Sequence, residues 1–206
     1  MQPVLLPNKT IIMALVKVNE SINAVFSVIE QYGSRQYPCG PVSFLEHSLQ
    51  TAMNAAKETN NEELILAAFF HDIGHFCKPV KGYDSETGVI DHELCGAKFL
   101  AKHGFSDHIV TLVQNHVLAK RYLTYKHPDY YLSLTESGRD SLEYQGGPLC
   151  MDEAFQFEGH PLFHELIQLR KWDEISKKPG VVTPPLYEYR YMAMYHLICR
   201  ENSCFV

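Results

Sequence analysis

A chain of 206 residues is long enough to bury a full hydrophobic core, and 46% hydrophobic with 20% charged residues excludes a disordered or fibrous chain. Basic and acidic residues, 18 against 24, give a formal charge of −6 without a block of like charge, so neither nucleic acid nor an anionic membrane is offered a footprint and a small diffusible substrate is expected. The 6 cysteines are scattered without a CxxC pair, which excludes a zinc-finger or disulfide framework and predicts reduced thiols.

The opening MQPVLLPNKTIIMALVKVNE lacks the basic segment and small-residue cleavage site of a secretory signal. No apolar run reaches the roughly 18 residues that span a bilayer, so a cytoplasmic protein is expected. Ser43-Phe-Leu-Glu46 reads as a capping box, with Leu45, Leu49, Ala52, Met53 and Ala56 following at helical spacing, which puts His47 on a helix. Glu62 to Phe76, EELILAAFFHDIGHF, is apolar enough for a central buried helix, yet it ends in His71, Asp72 and His75. Polar groups at the end of a buried helix imply a site. Gly82, Asp84, Ser85 and Gly88 mark a loop, after which His92 opens a short helix that Gly104 stops. Ser106 caps the next helix, whose stripe Ile109, Leu112, Val113 and Val117 turns His116 inward. Tyr122 to Pro148 reads as a long structured loop with one short helical turn, and loops this long are often functional. Pro161 to Glu174 and Leu186 to Glu201 return to helical periodicity, and strand-like alternation is scarce. The expectation is an all-α fold, with residues 1–206 as one domain and no internal repeat.

Six residues from five separate segments form a ligand set: His47, His71, Asp72, His92, His116 and Asp173. Imidazole and carboxylate suit divalent first-row metals, and a carboxylate can bridge two ions while each histidine serves one. Asp72 is the natural bridge. A single inward histidine is more often a hydrogen-bonded core residue than a ligand. FFHDIGH after a buried helix, with one helical His upstream and two downstream, is a far more specific pattern, and His92 and His116 go beyond what one metal needs. His103, His108, His127, His160, His164 and His196 lack such support and are read as surface or structural residues. The set resembles the HD superfamily, whose pattern is a first His, an adjacent His-Asp pair and a distant Asp, here in LRKWDE. The resemblance implies an HD-superfamily helical domain with its metal-binding core at about 31–176.

Most HD proteins resemble phosphohydrolases, but a smaller branch resembles myo-inositol oxygenase and the phosphonate-cleaving oxygenases. The spacings here, 24 residues from His47 to His71, 24 from His92 to His116 and 57 from His116 to Asp173, are similar to those of the 2-amino-1-hydroxyethylphosphonate dioxygenase family. That resemblance implies a mixed-valent Fe2+/Fe3+ pair, O2 as co-substrate, and oxidative cleavage of the carbon–phosphorus bond of a small organophosphonate. It places His75 and Lys120, each one helical turn from a ligand, at the phosphonate and in the catalytic pocket. Ser137, Ser141 and Gln145 are candidate phosphonate contacts. Arg170 either binds substrate or braces Asp173. Tyr37 matches a tyrosine that closes one iron until substrate and O2 displace it, or else packs as a loop aromatic. Seven residues before His47 the family has a glutamate that recognises the substrate ammonium, and this chain has Gly40. A quaternary ammonium needs no such acceptor and could rest on aromatic faces, with Tyr32, Tyr37 and Tyr83 available. The chain therefore resembles most the related oxygenases of 1-hydroxy-2-(trimethylammonio)ethylphosphonate. The competing expectation is a metal-dependent phosphohydrolase of a nucleotide or phosphoester. It would use the same ligands with a Lewis acid that need not be redox-active.

Overall fold

In a computed structural model, which describes residues 9–77, 83–84, 88–89 and 91–203, the chain packs around one short helix, α3 (Glu62–Phe70). Asn61 caps it, its side-chain oxygen accepting from the backbone N–H of Glu63 at 3.0 Å and of Leu64 at 3.3 Å. Every residue from Leu64 to Phe70 is buried. A helix apolar all round is stable only when covered on all sides. The cover is supplied by α2 (Phe44–Glu58), α5 (Asp107–Lys126), α9 (Phe163–Ile175) and α10 (Leu186–Ser203), with α1 (Lys9–Tyr32) packing on α10 and reaching α3 through Phe26. Phe69 lies between Phe26 of α1 and Tyr189 of α10, with ring centroids at 6.0 and 4.9 Å. Each such side chain contributes about 1.5–3 kcal/mol by leaving water.

The Ser43 capping box forms as expected, and Ser106 accepts from the Ile109 N–H at the start of α5. Helix α4 (His92–Lys102) begins at His92, and Gly104 follows it with φ of +85°. Among the described residues there are ten α-helices, and a two-residue antiparallel pair, β1 (Tyr83–Asp84) with β2 (Gly88–Val89), falls within the expected loop. Gly82 and Ser85 lie outside the described residues.

Three expectations need correction. The buried helix does not run to Phe76: α3 stops at Phe70, Asp72 takes φ −100° and ψ 9°, and Ile73–Phe76 forms a 3-10 turn. The segment after Tyr122 is not a loop. It completes α5, then forms α6 (Pro128–Ser133) and α7 (Glu136–Tyr144) before α8 (Met151–Glu158). Pro128 opens α6 with its pre-set φ, and Thr135 caps α7 by accepting from Gly138 N–H at 3.1 Å. The polar, tyrosine-rich composition hid two helices that lie mostly at the surface. Finally, the helix Thr10–Tyr32 is long and apolar enough to cross a membrane by length and composition, its most apolar 18-residue window having a mean hydropathy of 1.5 although Lys17 and Glu20 interrupt it. From Val18 onward this helix presents Val18, Ile22, Val25, Phe26 and Ile29 to the core, while Ile11, Ile12, Met13, Leu15 and Val16 are exposed.

Far from the ligand set, His108 of α5 joins α3 to α9. Its Nδ1 is 3.0 Å from Glu63 and its Nε2 2.5 Å from Glu165, and His196 of α10 approaches the other oxygen of Glu63 at 3.7 Å. His108 and His196 are therefore structural, as expected.

Candidate metal centre

Five elements deliver the six expected ligands to one point. His47 comes from the first turn of α2, His71 and Asp72 from the end of α3, His92 from the first residue of α4, His116 from the middle of α5 and Asp173 from α9. All six are buried. Three of the rings are oriented by the backbone: Nδ1 of His47 lies 2.9 Å from the Ser176 carbonyl, that of His71 2.9 Å from Ala68 and that of His116 2.7 Å from Val113. A carbonyl only accepts, so each Nδ1 carries a proton, and in its neutral form each ring offers the Nε2 lone pair inward.

These lone pairs converge. Nε2 of His47 and His71 are 3.1 Å apart, and Nε2 of His92 and His116 are 3.2 Å apart. Asp72 divides them: its Oδ2 is 3.3 Å from His71 and 3.6 Å from His47, while its Oδ1 is 3.4 Å from His92 and 3.6 Å from His116. Asp173 Oδ1 joins the first pair at 3.2 Å from His47. Asp72 Oδ2 and Asp173 Oδ1 are buried without a hydrogen-bond partner among the described residues. Buried carboxylate oxygens normally have partners, and lone pairs facing each other repel, so the donor set fits divalent metal ions between them. Burial pushes the Asp72 carboxyl up, but the imidazoles of His71, His116 and His92 gathered around it outweigh that effect and hold the group well below the usual carboxylate range.

The second ring of residues opens into a cavity beside this cluster. Tyr37 is buried and stacks on His47, centroids 4.2 Å apart and planes at 26°, held by its own N–H donating to the Val42 carbonyl at 2.8 Å. Burial first, then the carboxylates of Asp72 and Asp173, raises its phenol well above the ordinary value, so it stays protonated. His75 stacks on His92 at 4.1 Å and lies 3.8 Å from Asp72 Oδ1. Burial and the neighbouring His92 hold it well below the usual imidazole range. Lys120 is 4% exposed, and its Nζ donates to Ser141 Oγ at 2.5 Å and Gln145 Oε1 at 3.1 Å. Burial, then repulsion from Arg170, lowers Lys120 to about 8.

Ser137 faces a neighbouring outer cavity with Asp140, Glu143 and Tyr144 instead of the metal cavity. Arg170 lines the metal cavity, but its donors are engaged: Nε with Tyr130, one terminal nitrogen with Asp173 and the other with Glu174. That geometry matches the bracing reading. Tyr32 carries the Arg35 guanidinium over its ring at 4.3 Å and does not line the cavity, so no aromatic cage forms from it. The Tyr83 side chain lies outside the described residues. Glu174, Lys177 and Tyr130 were missed. For Glu174 the signal was its spacing of four from Arg170 on one helix; Lys177 lies just past the end of that helix, four residues after Asp173. For Tyr130, forty residues from Arg170, no local signal existed.

With this geometry in place, residues 44–176 match the HD domain family. The chain belongs to that family. Outside the HD domain itself, the similarity extends over most of the chain. It is 34% identical to Uncharacterized protein L432 of Acanthamoeba polyphaga mimivirus, covering 91% of this chain and 86% of that protein. It is also 34% identical to the [1-hydroxy-2-(trimethylamino)ethyl]phosphonate dioxygenase (glycine-betaine-forming) of Leisingera caerulea, covering 83% and 87% respectively. The hydroxymethylphosphonate dioxygenase of Gimesia maris shares 34% identity over 82% of this chain and 85% of its own length. This HD domain is therefore similar over most of its length to two proteins named phosphonate dioxygenases, and its His/Asp cluster could hold metal.

Proposed function

We propose that this HD protein is a non-haem diiron oxygenase that cleaves the carbon–phosphorus bond of a small 1-hydroxyphosphonate. The observation that carries the reading is Asp72, whose two carboxylate oxygens each face their own pair of imidazoles. His47, His71, Asp173 and one Asp72 oxygen would hold one iron; His92, His116 and the other oxygen would hold the second. When bound, the pair would supply O2 activation. The overall change takes the substrate carbon to a carboxylate and phosphorus to phosphate, consuming one O2. We take residues 1–206 as a single domain with its metal core at about 31–176.

The chain's own residues account for substrate binding. Lys120, buried and backed by Ser141 and Gln145, supplies the positive charge and hydrogen-bonding groups that a phosphonate requires in a site shielded from water. His75, kept neutral beside His92, can orient the substrate or pass a proton. Tyr37 covers His47 and shields that side of the cluster from solvent.

The far end of the substrate is constrained by Gly40, because a Cβ there would lie 3.0 Å from Lys177 Cβ. Lys177 occupies the place a carboxylate side chain would need, and its ammonium is 3.5 Å from Asp173 and from Glu174. Glu174 is already engaged by Arg170, so a primary ammonium gains little there. A trimethylammonio substrate, yielding glycine betaine, or an amine-free hydroxyphosphonate therefore ranks ahead of the free-amine compound that yields glycine.

The test is anaerobic loading with iron, partial oxidation and low-temperature EPR, followed by O2-uptake and phosphate-release assays on the three hydroxyphosphonates. A coupled mixed-valent signal that a substrate perturbs, with phosphate released per O2 consumed, is the expected result. Phosphoester turnover on manganese without a coupled iron signal would instead make the protein a metal-dependent phosphohydrolase.

A further inference from the structure

We infer that Tyr130 is a positioning residue for the metal centre, setting the Asp173 carboxylate through Arg170; the inference rests on reading Asp173 as a metal ligand. Tyr130 belongs to α6, a short helix that buries none of its residues, and it reaches α9 through its hydroxyl. That hydroxyl accepts from Arg170 Nε at 2.7 Å and donates to Glu174 Oε2 at 3.1 Å. The two terminal nitrogens of Arg170 bind Asp173 Oδ2 and Glu174 Oε2, so three residues close around one guanidinium that is 7% exposed.

A guanidinium is planar, and its donors leave in fixed directions. Held at Nε as well as at both ends, it cannot rotate about its last bond, so the nitrogen aimed at Asp173 Oδ2 stays aimed there. The consequence falls on the opposite oxygen. Asp173 Oδ1 is left without a hydrogen bond and faces His47 Nε2 at 3.2 Å, where the first ion would be held. Without the phenol oxygen, Arg170 has an unmatched Nε–H and a reason to turn towards the cavity it lines, and the carboxylate loses its fixed orientation. Residues that orient a ligand from outside the metal shell typically change metal affinity 10- to 100-fold.

The experiment titrates Mn2+ and follows the free ion by EPR, using the wild type, Tyr130→Phe, Asp173→Asn, Arg170→Lys and the Tyr130→Phe/Arg170→Lys double variant. Thermal unfolding of each metal-free protein accompanies the titration. Asp173→Asn is expected to remove one site. Tyr130→Phe is expected to weaken that same site about tenfold, and to add nothing once Arg170 is lysine. Unchanged affinity in Tyr130→Phe, with or without a lower melting temperature, overturns the inference while leaving the metal reading intact. So does a tenfold loss that persists in the lysine background, since Tyr130 would then not act through Arg170. If Asp173→Asn leaves Mn2+ binding untouched, the ligand assignment fails and the inference with it.

Discussion

Gly74 and His92 meet backbone to backbone: a methyl group built on Gly74 would lie 1.8 Å from the His92 carbonyl oxygen and 2.8 Å from the Gly96 amide nitrogen. The glycine of HDIGH is thus what lets the 3-10 turn press against the first turn of α4 and bring His92 to the Asp72 oxygen. Gly74→Ala meets backbone on the far side, which cannot yield as a flexible side chain would. Overpacking of this kind costs about 1–3 kcal/mol. Thermal unfolding of the metal-free protein should show a drop of roughly 2–4 °C for each kcal/mol, and His92's pair should lose metal before His47's does. An unchanged melting temperature would show that the two segments can separate freely.

Asp72→Ala removes the one group that faces both histidine pairs. Elemental analysis after iron loading should find the variant without its metals, while Lys120→Ala, loaded in parallel, should retain them. Full two-metal occupancy in the Asp72 variant would sink the bridge assignment.

Lys120→Ala should instead weaken phosphonate binding by about 10- to 100-fold, the equivalent of losing a charge-assisted hydrogen bond of about 1.5–3 kcal/mol. Because burial and Arg170 lower this lysine to about 8, its positive charge is lost as pH rises through that value. The wild-type advantage over Lys120→Ala should therefore be large at pH 6.5 and shrink above about 8. Calorimetric titration with a hydroxyphosphonate across this range measures it, and an advantage independent of pH would contradict the assignment.

The His108 clasp predicts a stability profile. Burial alone would lower this imidazole from 6.5, but hydrogen bonds and charge from Glu165 and Glu63 raise it above that value. A raised histidine contributes stability that is fully present below the unfolded pKa and is lost as pH climbs through the folded one. Glu63 behaves in the opposite sense. Burial pushes it up, yet Ser106, His108 and His196 bring it below 4.5, so its contribution fades as pH falls through the lowered value. The melting-temperature gap between wild type and His108→Gln should thus be widest between about pH 4.5 and 6.5 and narrow on the alkaline side. A gap that grows with pH would mean that His108 is neutral in its clasp.

Much of the candidate centre was legible in the chain because its residues obey local rules. Ser43 and Ser106 cap helices wherever their N-terminal amides need acceptors, and a buried helix that ends in His71-Asp72 must give those groups partners. Imidazole and carboxylate in that number leave few chemistries open. Composition, however, concealed α6 and α7, whose polar faces meet solvent, and averaging across charged interruptions would have been needed to see the length of α1. Asp72 was already the natural bridge in the sequence, but which histidines pair on each of its oxygens, that Tyr32 serves Arg35 and lies outside the cavity, and that Tyr130 reaches Arg170 were decided by tertiary structure alone. Helical periodicity states which face of an element turns inward. What that face meets depends on elements tens of residues away, and no spacing along the chain encodes it.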